Sequence, residues 1–271
     1  MESSNLELII RLSFFFGIFA IMALWELKAP RRPLRSAKPF RWLNNIGLTF
    51  FNTLLLRLLF PAAAVGVALY ASQQQWGVLN QIDLPLWIEI ILAVVILDFC
   101  IYLQHRLFHR VPMLWQLHMM HHSDVDLDVT SGARFHPIEI ILSMLIKMLL
   151  ICLLGPAIVA VVIFEVILNA VAMFNHSNVR IPLHIDRVLR RLVVTPDMHR
   201  VHHSVIKDET NSNYGFNLPW WDRLFGSYCA QPSKGHDEMT IGLTQFQQPK
   251  TQSFLWMLRL PFKKKGGGYD Q

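Results

Sequence analysis

The stretch His136–His176, HPIEIILSMLIKMLLICLLGPAIVAVVIFEVILNAVAMFNH, decides the fold. It is apolar almost throughout and is broken near its centre by Gly155-Pro156, a pair that ends one helix and begins another. His136 stands 19 residues before Gly155 and His176 stands 20 after Pro156. Two antiparallel helices of equal length therefore return both histidines to one membrane face. The same register puts Lys147 and Glu165, eight before Gly155 and nine after Pro156, at one depth. A charge inside hydrocarbon needs a partner, so these two are expected to face each other across the hairpin.

Outward from the hairpin the pattern repeats. Leu8–Trp25 reads LIIRLSFFFGIFAIMALW, long enough to cross about 30 Å of hydrocarbon. Glu2 and Glu7 stand where a signal peptide would be basic, so a retained span is expected. Further apolar runs cover Ile46–Ala71 and, opened by Pro85, Leu86–Leu103. The chain has 271 residues, 53% apolar and only 16% charged, well below the charged share of a water-soluble domain. The expected architecture is a single all-α polytopic membrane domain of about five helical membrane segments. Transmembrane helices occupy 8–103, the membrane hairpin 137–175, and a cytosolic histidine-rich helical cap covers the ends of the spans.

Lysines and arginines set the orientation. Lys28, Arg31, Arg32, Arg35, Lys38 and Arg41 crowd the first loop, whereas 72–85 carries no basic residue. The amino terminus is expected outside and the histidines on the cytoplasmic face. Arg57 either snorkels to that cytoplasmic face from an interfacial segment or lines a cavity. The net charge of +6 gathers beside apolar segments, which argues against nucleic acid as a partner. Cys100, Cys152 and Cys229 are three and widely separated, so no disulfide framework is expected. From Phe254 the run FLWMLRLPFKKK gives 250–271 the pattern of a basic interfacial tail, ending in a disordered GGGYDQ. Trp220, Trp221 and Phe225 read as a segment packed at the membrane interface.

The histidines carry the chemistry. Of twelve, five fall within the 18 residues from His105 to His122, where an even spread would place fewer than one. His105 and His109 form H-x3-H at the inner end of the third span; His118, His121 and His122 form H-x2-HH, and His199, His202 and His203 repeat it. On a helix, positions i, i+3 and i+4 share a face, so each box can aim two or three imidazoles one way. With His136 and His176 delivered by the hairpin there are ten candidate ligands, too many for one ion. Two metals with four or five nitrogens each is the natural division. The isolated His184 and His236 read as ordinary hydrogen-bonded residues. Asp98, Tyr102, His105 and His109 form one stripe, which makes Asp98 a candidate to orient a ligand, with pairing to Arg57 as the alternative. Asn169, on a stripe with Glu165 and His176, is a candidate to bond a ligand or another helix. Asp124, Asp126 and Asp128 read as solvated carboxylates.

These boxes, with RFHPIE at Arg134–Glu139, NHSN around His176, TPDMHRVHHS from Thr195 and NYGFNLPWWDRLFGSY from Asn213, resemble the sterol desaturase and fatty acid hydroxylase superfamily across a catalytic region of 98–228. The resemblance implies a membrane-embedded, non-haem di-iron oxygenase with an all-α transmembrane core and a cytosolic histidine-lined site. It also implies O2 as co-substrate, a sterol-like, fatty acyl or ether lipid as substrate, and a separate electron donor, a reductase with a ferredoxin or cytochrome b5-like carrier. Hydroxylation is expected ahead of desaturation, because removing one hydrogen and rebounding oxygen demands less substrate control than removing two. Attack on an unactivated C–H bond needs a redox-active metal, which zinc is not, although zinc can occupy such nitrogen sites in purified protein. Two readings of another class stand beside this one. A divalent-metal transporter would place ligands near mid-membrane, and a membrane zinc hydrolase would need neither O2 nor reductant.

Overall fold

The computed structural model describes residues 2–263, with side chains from residue 7 onward; Lys264, Lys265 and the GGGYDQ end lie outside the described residues. Helix follows helix, and no β-strand occurs among the described residues. Five helical segments are long and apolar enough to cross a membrane. They are α1 (Glu2–Lys28), the pair α2 (Lys38–Leu59) and α3 (Ala63–Gln73), α4 (Leu86–Arg110), α6 (Pro137–Leu154) and α7 (Ile158–Asn175). The short α5 (Pro112–His122), α8 (Leu183–Leu189), α9 (Pro196–His202), α10 (Lys207–Thr210), α11 (Trp220–Leu224), α12 (Gly235–Glu238) and α13 (Phe254–Arg259) build a cap at one end.

The second apolar run is not one uninterrupted span. It begins at Lys38 and breaks between Leu59 and Ala63, because Pro61 cannot continue the hydrogen-bond ladder and its ring clashes with the preceding turn. Starting α2 at Lys38 also moves Arg57. At 1.5 Å per residue it lies about 24 Å along the helix from Arg41, exposed and away from the histidine end. Of the two readings of Arg57, the reach back to the histidine end is thereby excluded.

Gly155 ends α6 in the left-handed conformation (φ 64°), and its missing side chain lets the carbonyl of Trp76 close upon it. The hairpin arms pack on α3 more extensively than on each other. Ala64 and Ala68 of α3 bury against Ile151 and Val161, small residues that let three helices approach closely. Lys147 and Glu165 do meet, Nζ to Oε1 at 2.7 Å. A third charge joins them: Arg11 of α1 lies 2.7 Å from the other oxygen of Glu165 and 2.8 Å from Glu7. The carboxylate thus ties α1, α6 and α7 together.

Prolines place the cap. Val111 precedes Pro112 and is pushed into an extended conformation, so α4 stops at Arg110 and α5 folds back against it. Thr195 caps α9, its side chain accepting from the Met198 N–H, with Pro196 in the first turn. The tail is less exposed than its composition suggests. Met257 and Leu260 are buried with Trp115, Met119 and Met120 of α5, leaving Leu255 and Phe262 on the outside.

Candidate metal centre

Nine histidines meet in the cap, in two adjacent groups. His105, His109, His118, His122 and His202 form one; His121, His176, His199 and His203 form the other. Within each group one ring nitrogen per residue lies within 4.8 Å of every other. The two H-x2-HH boxes are shared reciprocally. The i and i+4 residues His118 and His122 go to the first group and His121 to the second, whereas His199 and His203 go to the second and His202 to the first. The boxes therefore do not aim all three rings one way. Residues i+3 and i+4 diverge by about 100° around a helix, enough to serve neighbouring sites. The rings of His122 and His203 stack at 4.6 Å, so the groups share a wall.

Hydrogen bonds settle which nitrogens are free. Nδ1 of His105 lies 2.8 Å from the Tyr214 carbonyl, that of His202 2.7 Å from the Ser212 carbonyl and that of His176 2.8 Å from the Ala172 carbonyl. His121 Nδ1 lies 3.3 Å from the Arg134 carbonyl, and His118 Nδ1 lies 2.7 Å from Glu139 Oε1. Oxygens of these kinds accept, so Nδ1 carries the proton and each Nε2 presents a lone pair. In the second group the facing Nε2 atoms of His121 and His176 are only 3.1 Å apart, and those of His176 and His199 are 3.0 Å apart. His121 and His176 are both acceptors there, so they repel across a gap that no proton bridges. In the first group Nε2 of His105, His118 and His202, and both nitrogens of His109 and His122, are buried without a partner. A cation at ~2.1 Å from each coordinating nitrogen would set neighbouring nitrogens about 3.0–3.4 Å apart and satisfy one nitrogen of each ring. The donor set fits a metal on these grounds.

Burial keeps the rings neutral. It holds the imidazolium form of His118 down to about 3 and of His176 to about 4, against an ordinary 6.5. His121, His122, His199, His202 and His203 are held well below 6.5 by burial first and by one another second.

The supporting shell reaches far along the chain. Asp98, buried in α4, accepts the backbone N–H groups of Asn217 and Leu218 and the Trp221 indole N–H at 2.8–3.2 Å. Asp222 accepts the N–H groups of Tyr214 and Gly215, each at 2.8 Å, and burial pushes its carboxyl up to about 6. Together they fix the loop whose Tyr214 carbonyl orients His105. Asp98 touches neither a histidine nor Arg57; it acts on the loop. Trp221 is accordingly a partner of α4, and Trp220 and Phe225 stay partly exposed.

Several expectations are corrected. Asp124, Asp126 and Asp128 are not solvated; they are at most 1% exposed. Arg41 binds both oxygens of Asp124 at 2.8–2.9 Å and Asp128 at 2.5 Å, while Asp126 accepts the N–H groups of Arg35 and Ser36. Burial tends to raise the Asp124 carboxyl, but Arg41 and Arg134 hold it down to about 2. His136 does not reach either group. It caps α6, with Nδ1 accepting the Ile138 N–H and Nε2 at 3.2 Å from the Leu258 carbonyl. Asn169 is exposed and donates to the Glu165 carbonyl of its own helix. Of the isolated histidines, His184 is exposed and His236 bonds Gln231. Sequence reasoning passed over Glu139, Arg41 and Tyr214; the proline-flanked acid of RFHPIE, one turn from a histidine, was the available signal for the first.

The fatty acid hydroxylase family model matches residues 90–227, which contain all three histidine boxes and both hairpin arms. An ornithine lipid hydroxylase of Rhizobium tropici is 28% identical over 265 residues, covering 93% of this chain and 75% of the relative. Alkylglycerol monooxygenases of Xenopus tropicalis and Homo sapiens are 27% and 29% identical, over 88% and 57% of this chain. The chain spans about half and a third of the length of those two proteins (51% and 34%). No solved structure matches it. Matched over half its length through the segment that gathers the nine histidines, this chain belongs to the fatty acid hydroxylase family and is a hydroxylase-type monooxygenase.

Proposed function

We propose that the two histidine groups hold two iron ions, His105, His109, His118, His122 and His202 around one and His121, His176, His199 and His203 around the other, and that the chain hydroxylates a membrane lipid. Bound iron would supply O2 activation and a changeable oxidation state. The chain's own residues supply the rest. Tyr214, Ser212, Ala172 and Arg134 fix the tautomers through their carbonyls, Glu139 does so through its carboxylate, and the surrounding apolar side chains exclude water. The observation that carries this reading is the facing pair of nitrogen lone pairs on His121 and His176, 3.1 Å apart, with both Nδ1 protons committed to backbone carbonyls.

The substrate is a polar-headed lipid with an acyl or alkyl chain, as the names of the relatives suggest, and hydroxylation is favoured over desaturation for the same reason. Electrons come from a separate reductase and carrier protein. The amino terminus lies outside and the histidine cap faces the cytoplasm, as the arginines and lysines of 28–41 suggest. Transport is disfavoured because both groups sit at the ends of the spans, not midway along them. The test is metal analysis of the purified protein combined with lipid mass spectrometry of expressing cells. Two irons per chain and a lipid gaining one oxygen atom, absent with His202→Ala, is the expected outcome. A metal-free protein and unchanged lipids in a host with a competent donor would overturn the reading.

A further inference from the structure

On α4 two arginines stand between the histidines and the lipid. At ~100° per residue, Arg106 falls about 60° from His109 on one side and about 60° from Leu103 on the other, and Arg110 lies about 40° farther toward Leu103. Leu103, Leu107 and Val111 are 38–52% exposed on the outer face of this membrane-spanning helix, and Met113 just beyond it is 77% exposed. In depth the two arginines lie about 5 and 10 Å past Leu103, the last residue of the apolar run, at the level of the headgroups. Arg41, Arg190 and Arg200 at the same end of the molecule are each paired with an aspartate. Neither Arg106 nor Arg110 meets a carboxylate or a hydrogen-bond acceptor among the described residues, and Nε of Arg106 is buried without a partner. The wall of the centre is also thinnest here. His105 and His109 are each 8% exposed, against 0–3% for the other seven clustered histidines. Tyr214 packs on both rings, at 5.7 and 5.1 Å, and the charges of Arg110 and Arg106 both act on its hydroxyl.

We propose that Arg106 and Arg110 bind the oxyanion of the substrate lipid's headgroup, a phosphate or a carboxylate, at the edge of the first histidine group. The assignment rests on the hydroxylase reading for the word substrate, and on the arginines and their surroundings for the headgroup. A guanidinium presents its donors in a planar fork that matches either oxyanion, and a half-buried cation without a counter-ion gains most from one. A lipid fits this edge better than an acidic protein does. The pair lies at headgroup depth, and its neighbours Leu103, Leu107, Val111 and Met113 form an exposed apolar flank continuous with a membrane-spanning helix. An oxyanion held there is seated beside His105 and His109, so the two arginines would select which lipids present themselves to the centre.

The test uses the full chain in detergent, native mass spectrometry, and dioleoyl phosphatidylglycerol as the probe. Lipid bound per chain should fall several-fold in Arg110→Gln and further in Arg106→Gln/Arg110→Gln. It should stay at the unmodified level in Arg187→Gln/Arg191→Gln, which removes the same charge from exposed positions elsewhere on the cap. Arg110 is itself exposed, so the single variant keeps the test decisive even if the double one misfolds. An equal loss in the Arg187/Arg191 variant would mean adsorption by net charge and would overturn the proposal. Unchanged lipid binding in Arg110→Gln, with weaker capture of an acidic carrier protein at low salt, would make the edge a protein-docking surface and overturn it too. Inorganic phosphate in large excess should displace little of the lipid; complete displacement would mark a site for a free anion and sink the lipid assignment. In a host with a competent donor, Arg110→Gln should change which lipids gain oxygen while metal content stays constant. Lipid binding lost as expected, with no lipid oxidised by any form of the protein, would support the arginine site while sinking the hydroxylase reading, so the two failures are distinguishable.

Discussion

The histidine centre and the Arg41 cluster are both buried polar assemblies at the same end of the helices, yet they are built on opposite terms. Arg41 is 0% exposed, and each of its guanidinium nitrogens has a partner in Asp124, Asp128, Ser131 or the Asp126 carbonyl. The histidines are buried as well, but Nε2 of His105, His118 and His202 and both nitrogens of His109 and His122 have no partner. A buried polar group without a partner is costly, so a saturated cluster reads as architecture and an unsaturated one as a binding site. Sequence position connects the two. The loop that Arg41 holds, Asp124–Ser131, leaves directly from His121 and His122.

The steepest way to break this comparison is acid. In metal-free protein the seven cap histidines His118, His121, His122, His176, His199, His202 and His203 stay neutral when folded but titrate near 6.5 when unfolded. The unfolded chain then binds more protons below pH 6.5. Stability is intact above that pH and falls as pH drops through it, by about 1.4 kcal/mol per pH unit for each imidazole. Thermal melts between pH 7.5 and 5 should show a steep fall in metal-free protein and a parallel fall, offset to higher temperature, in loaded protein; a flat profile would contradict neutral buried rings.

Next comes Arg41→Leu, which strands two buried carboxylates. About 3–5 kcal/mol of stability should be lost, measurable as a drop in melting temperature with or without metal. Should the variant melt normally, the cluster is not the structural element described. Glu139→Gln is smaller and acts on the other cluster. The amide retains an oxygen acceptor but loses the charge that strengthens the His118 bond, so metal affinity should fall by about 10–100-fold with little change in the metal-free melt. Unchanged affinity in a chelator competition would remove Glu139 from the centre's support. Smallest of all, Asn169→Ala should stay within about 0.5 kcal/mol of wild type and leave metal content untouched, since the side chain is exposed and bonds only its own helix. A marked loss of activity would restore the role that spacing suggested for it.

Local rules carried a long way. Gly155-Pro156 is the turn, Lys147 meets Glu165, and the three boxes supply eight of the nine clustered histidines. Such features depend on helix period and chain register, both written in neighbouring residues. Failures cluster where the partner is distant. Asp124–Asp128 read as a solvated run because Arg41, more than 80 residues earlier, is invisible to local pattern. Arg11 was equally unforeseen beside Glu165, 154 positions on. His136 had the right depth but points its ring at the start of α6 and the Leu258 carbonyl, since equal arm length fixes height and not azimuth.

By itself, then, the sequence determined the helical membrane architecture, the hairpin and the supply of imidazoles, because hydrophobic period and proline or glycine punctuation act within a few residues. Only the tertiary structure decided how the nine rings divide into five and four and which carbonyls and carboxylate fix the tautomers of His105, His118, His121, His176 and His202. Those choices rest on carbonyls, carboxylates and helix faces brought together from opposite ends of the chain, and no spacing rule encodes them.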